Sequence, residues 1–328
     1  MLRIGLSQHA IDVCGATIAQ ALPETPHALL SFESLTAVAE PALDIAFMSR
    51  DVTGLSTKHQ VLPATAAVHD LLRRAATLRW VHIHAAGVDR PVYAELRGRG
   101  VTVSTSSGAS AEVVAQTALA GVLALARELL PLFAAQRERR WAPPVAPSLP
   151  RDLRGQTALL VGWGPIGRCL GGLLQALGLK LVVVRHSGVP VAPGVQTWGH
   201  AEWHRALPQA DWLLLACPLS DQTRGMVDAS ALALLPRGAR LVNVARGELV
   251  DEAALVDALR CGRLGGAYLD VFEHEPLPAE SPLWTLDHVL LTPHCAGHSD
   301  GNAQRVAGMF VDNLRRWCAG QALLHAAN

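Results

Sequence analysis

The sequence carries no surplus of either charge: Lys plus Arg and Asp plus Glu each total 28 among 328 residues, a formal net charge of +0. A surface that attracts polyphosphate or anionic lipid needs a basic excess, so neither nucleic acid nor a membrane is an expected partner. No two of the six cysteines, Cys14, Cys169, Cys217, Cys261, Cys295 and Cys318, are spaced as a CxxC redox pair or a zinc knuckle. They read as reduced, mostly structural thiols. Long apolar runs are also missing: the longest, Val113 to Ala126, meets Arg127 and Glu128 at once, short of the about 20 residues that span a bilayer. That run predicts a buried helix. The opening MLRIGLSQHA lacks the basic region and long apolar core of a secretion signal, which makes the cytoplasm the expected location.

What is present is apolar material in quantity. Half of the residues are hydrophobic and 17% are charged, and the chain is longer than the roughly 250 to 300 residues at which one core stops growing. Two domains follow. Short apolar runs that predict strands at Leu2 to Leu6, Ala28 to Phe32, Ile45 to Met48, Trp80 to Ile83 and Val101 to Ser104 alternate with helical spacing at Thr65 to Ala76 and Val92 to Arg97. Ser110-Ala111-Glu112 opens a long helix through about Leu130 that marks the domain crossing. The four prolines between Trp141 and Pro150 predict an extended connector. Beyond it, strands are expected at Thr157 to Val161, Lys180 to Val184, Trp212 to Ala216, Arg240 to Val244, Gly266 to Val271 and Val289 to Thr292, with helices between most of them. A last helix, about Ser299 to Ala319, is free to fold back onto the first domain. The pattern is α/β with parallel, doubly wound sheets.

Gly162-Trp163-Gly164-Pro165-Ile166-Gly167 follows a strand and opens a helix, the context in which G-x-G-x-x-G signals a dinucleotide site. The first glycine permits the turn, the second admits a pyrophosphate, and the third lets helix and strand pack closely. At the end of the next strand, where an Asp or Glu would signal NAD, stand Arg185, His186 and Ser187. Two basic side chains and a hydroxyl suit a 2′-phosphate, so NADP(H) is the expected cofactor and NAD(H) the alternative.

Ligands of such sheets bind beyond the carboxyl ends of the strands, where Arg246, Glu275 and His294 each follow a predicted strand. Hydride transfer to a 2-oxo acid creates an alkoxide that needs a proton. An imidazole supplies one most readily near neutral pH. Glu275 would favour the imidazolium, and the planar fork of Arg246 would grip the carboxylate and polarise the adjacent carbonyl. Asp270 reads as a binder of the nicotinamide end.

The segments LLVGWGPIGRCL, CPLSDQTRGMV, VNVARGELVDEAAL, GGAYLDVFEHEPLP and LLTPHCAGH resemble the D-isomer-specific 2-hydroxyacid dehydrogenases, and the similarity spans the chain. It implies a Rossmann dinucleotide-binding domain over 104–296 and a flavodoxin-like substrate domain over 1–103 plus 297–328, with the active site in the cleft between them. It gives Arg246, Glu275 and His294 the catalytic places, with Arg246 and His294 also touching substrate. The backbone amides of Ala86, Gly87 and Val88 in HIHAAGVDR would bind the substrate carboxylate. Cys217, Pro218, Thr223, Val244, Ala245 and Gly297 join the cofactor set. Glyoxylate and hydroxypyruvate reductases of this family often carry Arg at the place of Arg185, and homodimers are usual. A corepressor-like scaffold of the same fold is the alternative, which the complete Arg, Glu and His set disfavours. Cys295 and Tyr268 depart from the family's aliphatic and small residues. His82, His84 and His298 receive no role, and with no carboxylate or thiol to complete a set, no metal site is expected.

Overall fold

Alternating apolar runs and amphipathic segments produce two separate parallel sheets. In the computed structural model, residues 1–146 and 149–327 are described. Pro147 and Ser148 of the proline-rich connector lie outside the described residues, as does Asn328. The chain divides into one unit of Met1–Ala109 with Ser299–Asn328 and a second of Ser110–His298.

The first unit holds β1 (Leu2–Leu6), β2 (His27–Ser31), β3 (Ile45–Met48), β4 (Trp80–Ile83) and β5 (Thr102–Thr105) in the order β2-β1-β3-β4-β5. This is the flavodoxin-like order. A short C-terminal strand, Ala326–Ala327, pairs antiparallel with β5, pinned by Asn313, whose side chain meets the backbone of Leu324 at 2.7 and 3.0 Å. Ile45, Ala46, Phe47 and Met48 are all buried because helices cover both faces of the sheet. On one face the helix Asn302–Cys318 lays Val306, Phe310, Val311 and Leu314 against Ile4, Phe47 and Trp80. Phe310 stacks on Phe47 with centroids 4.5 Å apart and planes at 4°. Each such fully buried large side chain contributes about 1.5–3 kcal/mol.

The second unit holds β6 (Thr157–Val161), β7 (Lys180–Arg185), β8 (Gln196–Gly199), β9 (Trp212–Leu215), β10 (Ala239–Asn243), β11 (Leu264–Leu269) and β12 (Val289–Leu291). Their order is β8-β7-β6-β9-β10-β11-β12, all parallel. It is the Rossmann order extended by one strand, and the direction of winding reverses between β6 and β9. Leu159, Val161, Leu213 and Leu215 point into one core, Ala158, Leu160, Trp212 and Leu214 into the other, so these strands read as unbroken apolar runs.

Three expectations are corrected. The helix expected through Leu130 ends at Ala126, and a second, Leu129–Arg137, leaves it at a bend of 73°. Pro131 explains the break: in a continuous helix its ring would strike the carbonyl of Arg127, whereas in the first turn of a new helix its missing N–H is harmless. Glu128 makes the corner in the left-handed region, φ 51°. The edge strand β8 was not foreseen, because four half-exposed residues, QTWG, show no alternation. β11 begins at Leu264 and ends at Leu269, earlier than Gly266 to Val271, since a register shift beside Ala239 absorbs the glycine pair into the ladder. Asp270 and Val271 are thereby released to the loop. Among the described residues, no single helix is long and apolar enough to cross a membrane.

Candidate active site

The glycine turn shows a distinct reason for each glycine. Gly162 has φ +107°, and a β-carbon there would lie 2.5 Å from the carbonyl oxygen of Ala216. One on Gly167 would lie 2.1 Å from the carbonyl oxygen of Gly162, so helix and strand touch. Gly164 caps the helix Pro165–Ala176 and has nothing within 4 Å of its missing β-carbon. Open space at a helix N-terminus, with Pro165 as first residue and Ile166 beside it, fits a pyrophosphate.

At the end of the following strand, Arg185 closes β7 half-buried, and His186 and Ser187 are exposed. Of the other expected cofactor residues, Cys217 is buried, which pushes its thiol up to about 12. The Thr223 hydroxyl donates to the Pro218 carbonyl at 2.9 Å and accepts from the Ser220 amide at 2.8 Å, which braces the turn. Val244 and Ala245 have their side chains in the core. Gly297 packs 3.2 Å, measured from its missing β-carbon, against Ser110.

Arg246, Glu275 and His294 follow β10, β11 and β12, three neighbouring parallel strands, so all three leave from the edge that also carries the glycine turn. Asn243 builds the Arg246 loop: buried, it accepts from the Ala245 amide at 3.0 Å and donates to the Arg246 carbonyl at 2.8 Å. A β-carbon on Gly247 would fall 1.8 Å from the Phe272 carbonyl carbon, which shows this loop lying directly on the next. There the Phe272 amide donates to Glu275 Oε1 at 3.2 Å. The other carboxylate oxygen, Oε2, accepts from His294 Nδ1 at 2.8 Å. Glu275 is 9% exposed and His294 48%, so a shielded carboxylate orients an imidazole whose Nε2 remains available.

His294 is itself in the left-handed region, φ 50°, with its amide donating to the Asp270 carbonyl at 2.8 Å. For a non-glycine residue this conformation is sparsely populated and is held here by the surrounding loop. Asp270, 1% exposed, shapes it: its carboxylate accepts from Thr292 Oγ1 at 2.6 Å and from the amides of Cys295 and Ala296 at 2.9 and 3.0 Å. Because the Thr292 hydroxyl has given its proton to Asp270, Tyr268 donates to it at 2.8 Å. The Tyr268 ring occupies the space left by Gly121, where a β-carbon would come within 2.2 Å of it. Sequence reasoning missed Asn243, Gly247, Thr292 and this role of Tyr268; an Asn two residues before a bonded amide was the one local signal.

In the first unit, Ala86 is exposed while Gly87 and Val88 are half-buried, Val88 against the core. His82 is completely buried and bonded at Nδ1 and Nε2 to Ser104 and Ser106 at 2.7 and 3.0 Å. His84 Nε2 meets Thr53 Oγ1 at 2.8 Å. Among the described residues, no group of three or more His, Cys, Asp or Glu could hold a metal ion.

Residues 119–296 match the family model of the D-isomer specific 2-hydroxyacid dehydrogenase NAD binding domain. The chain is 32% identical to a glyoxylate reductase of Korarchaeum cryptofilum, over 77% of this chain and 76% of that one. It is 36% identical to an (S)-sulfolactate dehydrogenase of Chromohalobacter salexigens, over 77% and 81%. Among solved structures, a D-isomer specific 2-hydroxyacid dehydrogenase from Xanthobacter autotrophicus in complex with NADPH and MES superposes with a TM-score of 0.77 at 30% identity, covering 99% of this chain and 98% of that one.

Proposed function

The chain belongs to the D-isomer-specific 2-hydroxyacid dehydrogenases, and on that premise we propose that it reduces a small 2-oxo acid of the glyoxylate or hydroxypyruvate kind, with NADPH preferred to NADH. The nicotinamide supplies the hydride when bound. The protein supplies the rest. Arg246 grips the substrate carboxylate and polarises the carbonyl, and the amides of Ala86, Gly87 and Val88 add to the grip. His294 gives the proton to the forming alkoxide from Nε2, while Glu275 favours the charged ring and holds its orientation. Asp270 positions the loop and meets the nicotinamide end. Arg185, His186 and Ser187 take the 2′-phosphate.

One observation carries this reading: the 2.8 Å bond between His294 Nδ1 and Glu275 Oε2, at the same sheet edge as a glycine turn whose middle glycine faces open space. A homodimer formed through the second unit is part of the proposal, supported by exposed Phe133, Trp141, Val145 and Leu149. So is a cytoplasmic location. The test is oxidation of NADPH and of NADH with glyoxylate, hydroxypyruvate, pyruvate and bulkier branched or aromatic oxo acids. Turnover fastest with the smallest acids and NADPH is expected, whereas cofactor binding without turnover on any of them would overturn it.

A further inference from the structure

Beyond the 2′-phosphate cluster itself, a second layer of side chains stands behind His186. β7 and β8 pair in parallel as far as Arg185 and Gly199, and Ser187 then bridges back to Gly199 in the antiparallel sense. Gly188 permits this reversal with φ +62°, its missing β-carbon 3.1 Å from the Gly199 amide nitrogen. The fold-back sets the His186 ring edge-on to that of His200, with centroids 5.9 Å apart and planes at 86°. From a third element, the turn braced by Thr223, the Gln222 Oε1 accepts from His186 Nδ1 at 3.1 Å.

A carbonyl acceptor keeps the proton on Nδ1, which leaves Nε2 as the nitrogen that titrates. Neutral, Nε2 offers a lone pair and suits a ribose hydroxyl; protonated, it offers a charged N–H and suits a phosphate. We propose that His186, oriented by Gln222, reads the 2′-substituent of the cofactor and makes the preference for NADP(H) over NAD(H) grow as the pH falls. The inference rests on the cofactor reading given above and deepens it.

His200 disfavours a charge on its own ring. Burial, first, and the neighbouring His186 charge, second, hold His200 below the ordinary imidazole value, with Gln222 opposing. Its Nδ1 is buried without a hydrogen-bond partner, whereas the His186 side chain is exposed. The other charged groups on and against these elements are Lys180 and Arg185 on β7, Arg205, stacked 4.9 Å over Trp198 of β8 and paired with Glu202 at 2.8 Å, and Asp221 and Arg224 on either side of Gln222. Side chains of these types keep their charge through neutrality, so they set a constant background. The 2′-phosphate loses its own second proton near pH 6, which strengthens attraction to arginine as the pH rises. A preference that strengthens as the pH falls therefore has the opposite sign and identifies the histidine.

The experiment is calorimetric titration of the full chain with 2′,5′-ADP and with 5′-AMP across the neutral range. The dissociation constant of 5′-AMP divided by that of 2′,5′-ADP isolates the 2′-phosphate. An increase of this ratio by about tenfold from mildly alkaline to mildly acidic pH is expected, the worth of a charged hydrogen bond. In His186→Gln the increase should vanish or reverse. In Gln222→Leu its midpoint should move to lower pH, because the carbonyl that favours the charged ring is gone; a role confined to structure would leave the midpoint in place. A wild type that binds both nucleotides equally at every pH overturns the NADP(H) reading and this one with it. A clear preference for 2′,5′-ADP with the same pH dependence in His186→Gln overturns this inference alone.

Discussion

Gly247 lies flat on the peptide of Phe272: a β-carbon at position 247 would stand 1.8 Å from the Phe272 carbonyl carbon and 2.0 Å from its oxygen. The contact is between backbones, so neither side can yield by a change of rotamer. It fixes how the Arg246 loop meets the loop that bears Glu275. Gly247→Ala should force these loops apart, with a loss of about 1–3 kcal/mol in stability and a fall of about 10²-fold in kcat/KM, as misplacement of a catalytic group by about an ångström produces. Unfolding and steady-state kinetics on one preparation check it. Wild-type kinetics in the alanine variant would show that the contact does not govern the site.

For the His294–Glu275 pair, two substitutions separate proton supply from orientation. His294→Ala should lower kcat by about 10²–10⁴-fold while dinucleotide affinity, measured by fluorescence titration, stays near wild type. Glu275→Gln keeps the shape and removes the charge that favours the imidazolium. Reduction should then slow by about tenfold or more while dinucleotide affinity holds. Turnover of His294→Ala within a few fold of wild type would remove the imidazole from the chemistry.

The glycine turn offers a contrast inside one motif. Gly164→Ala meets open space and should leave the melting temperature unchanged while weakening dinucleotide binding about tenfold, since the methyl group enters the path of the pyrophosphate. Gly167→Ala meets the Gly162 carbonyl oxygen at 2.1 Å and should destabilise the fold by about 1–3 kcal/mol. If Gly164→Ala binds NADPH and NADH as wild type does, the turn is structural only.

Such local features explain what the sequence made legible. Strands such as Thr157–Val161 and Trp212–Leu215, buried on both faces, appear as apolar runs, and the glycine spacing appears as a word. Arg246, Glu275 and His294 stand out because each follows such a run within a few residues. What stayed hidden depends on register between strands. The fit of Gly247 to Phe272 needs β10 aligned with β11, and the nearness of His200 to His186 needs β8, whose four residues carry no pattern. The Tyr268 and Gly121 fit joins a strand to a helix far away in sequence, and no local rule links them.

The same dependence on register gives His82 its place, and with it a prediction about acid stability. β4 aligns with β5 so that His82 faces Ser104. Ser104 Oγ accepts from Trp80 Nε1 at 2.8 Å, which leaves its own proton for His82 Nδ1 at 2.7 Å. Ser106 donates to the Ile83 carbonyl at 3.0 Å and accepts from His82 Nε2 at 3.0 Å. The neutral ring is thus satisfied at both nitrogens and has no acceptor for a second proton. Burial is the main reason that His82 is held down to about 3, with the charges of His325 and His84 adding to it. Burial likewise holds His69 down to about 4, with Arg90 and Arg73 adding and Glu95 opposing. In the unfolded chain both rings titrate near 6.5. Above that value neither state is charged and neither ring affects stability. Below it the unfolded state takes up protons that the folded state refuses, so stability falls by up to about 1.4 kcal/mol per pH unit for each ring, a loss that continues until the folded values are reached. Chemical denaturation near pH 5 should show uptake of about one proton fewer on unfolding in His82→Gln than in the wild type, the glutamine amide still accepting from Ser104 and donating to Ser106. A slope unchanged by that substitution would mean that His82 takes its proton within the fold.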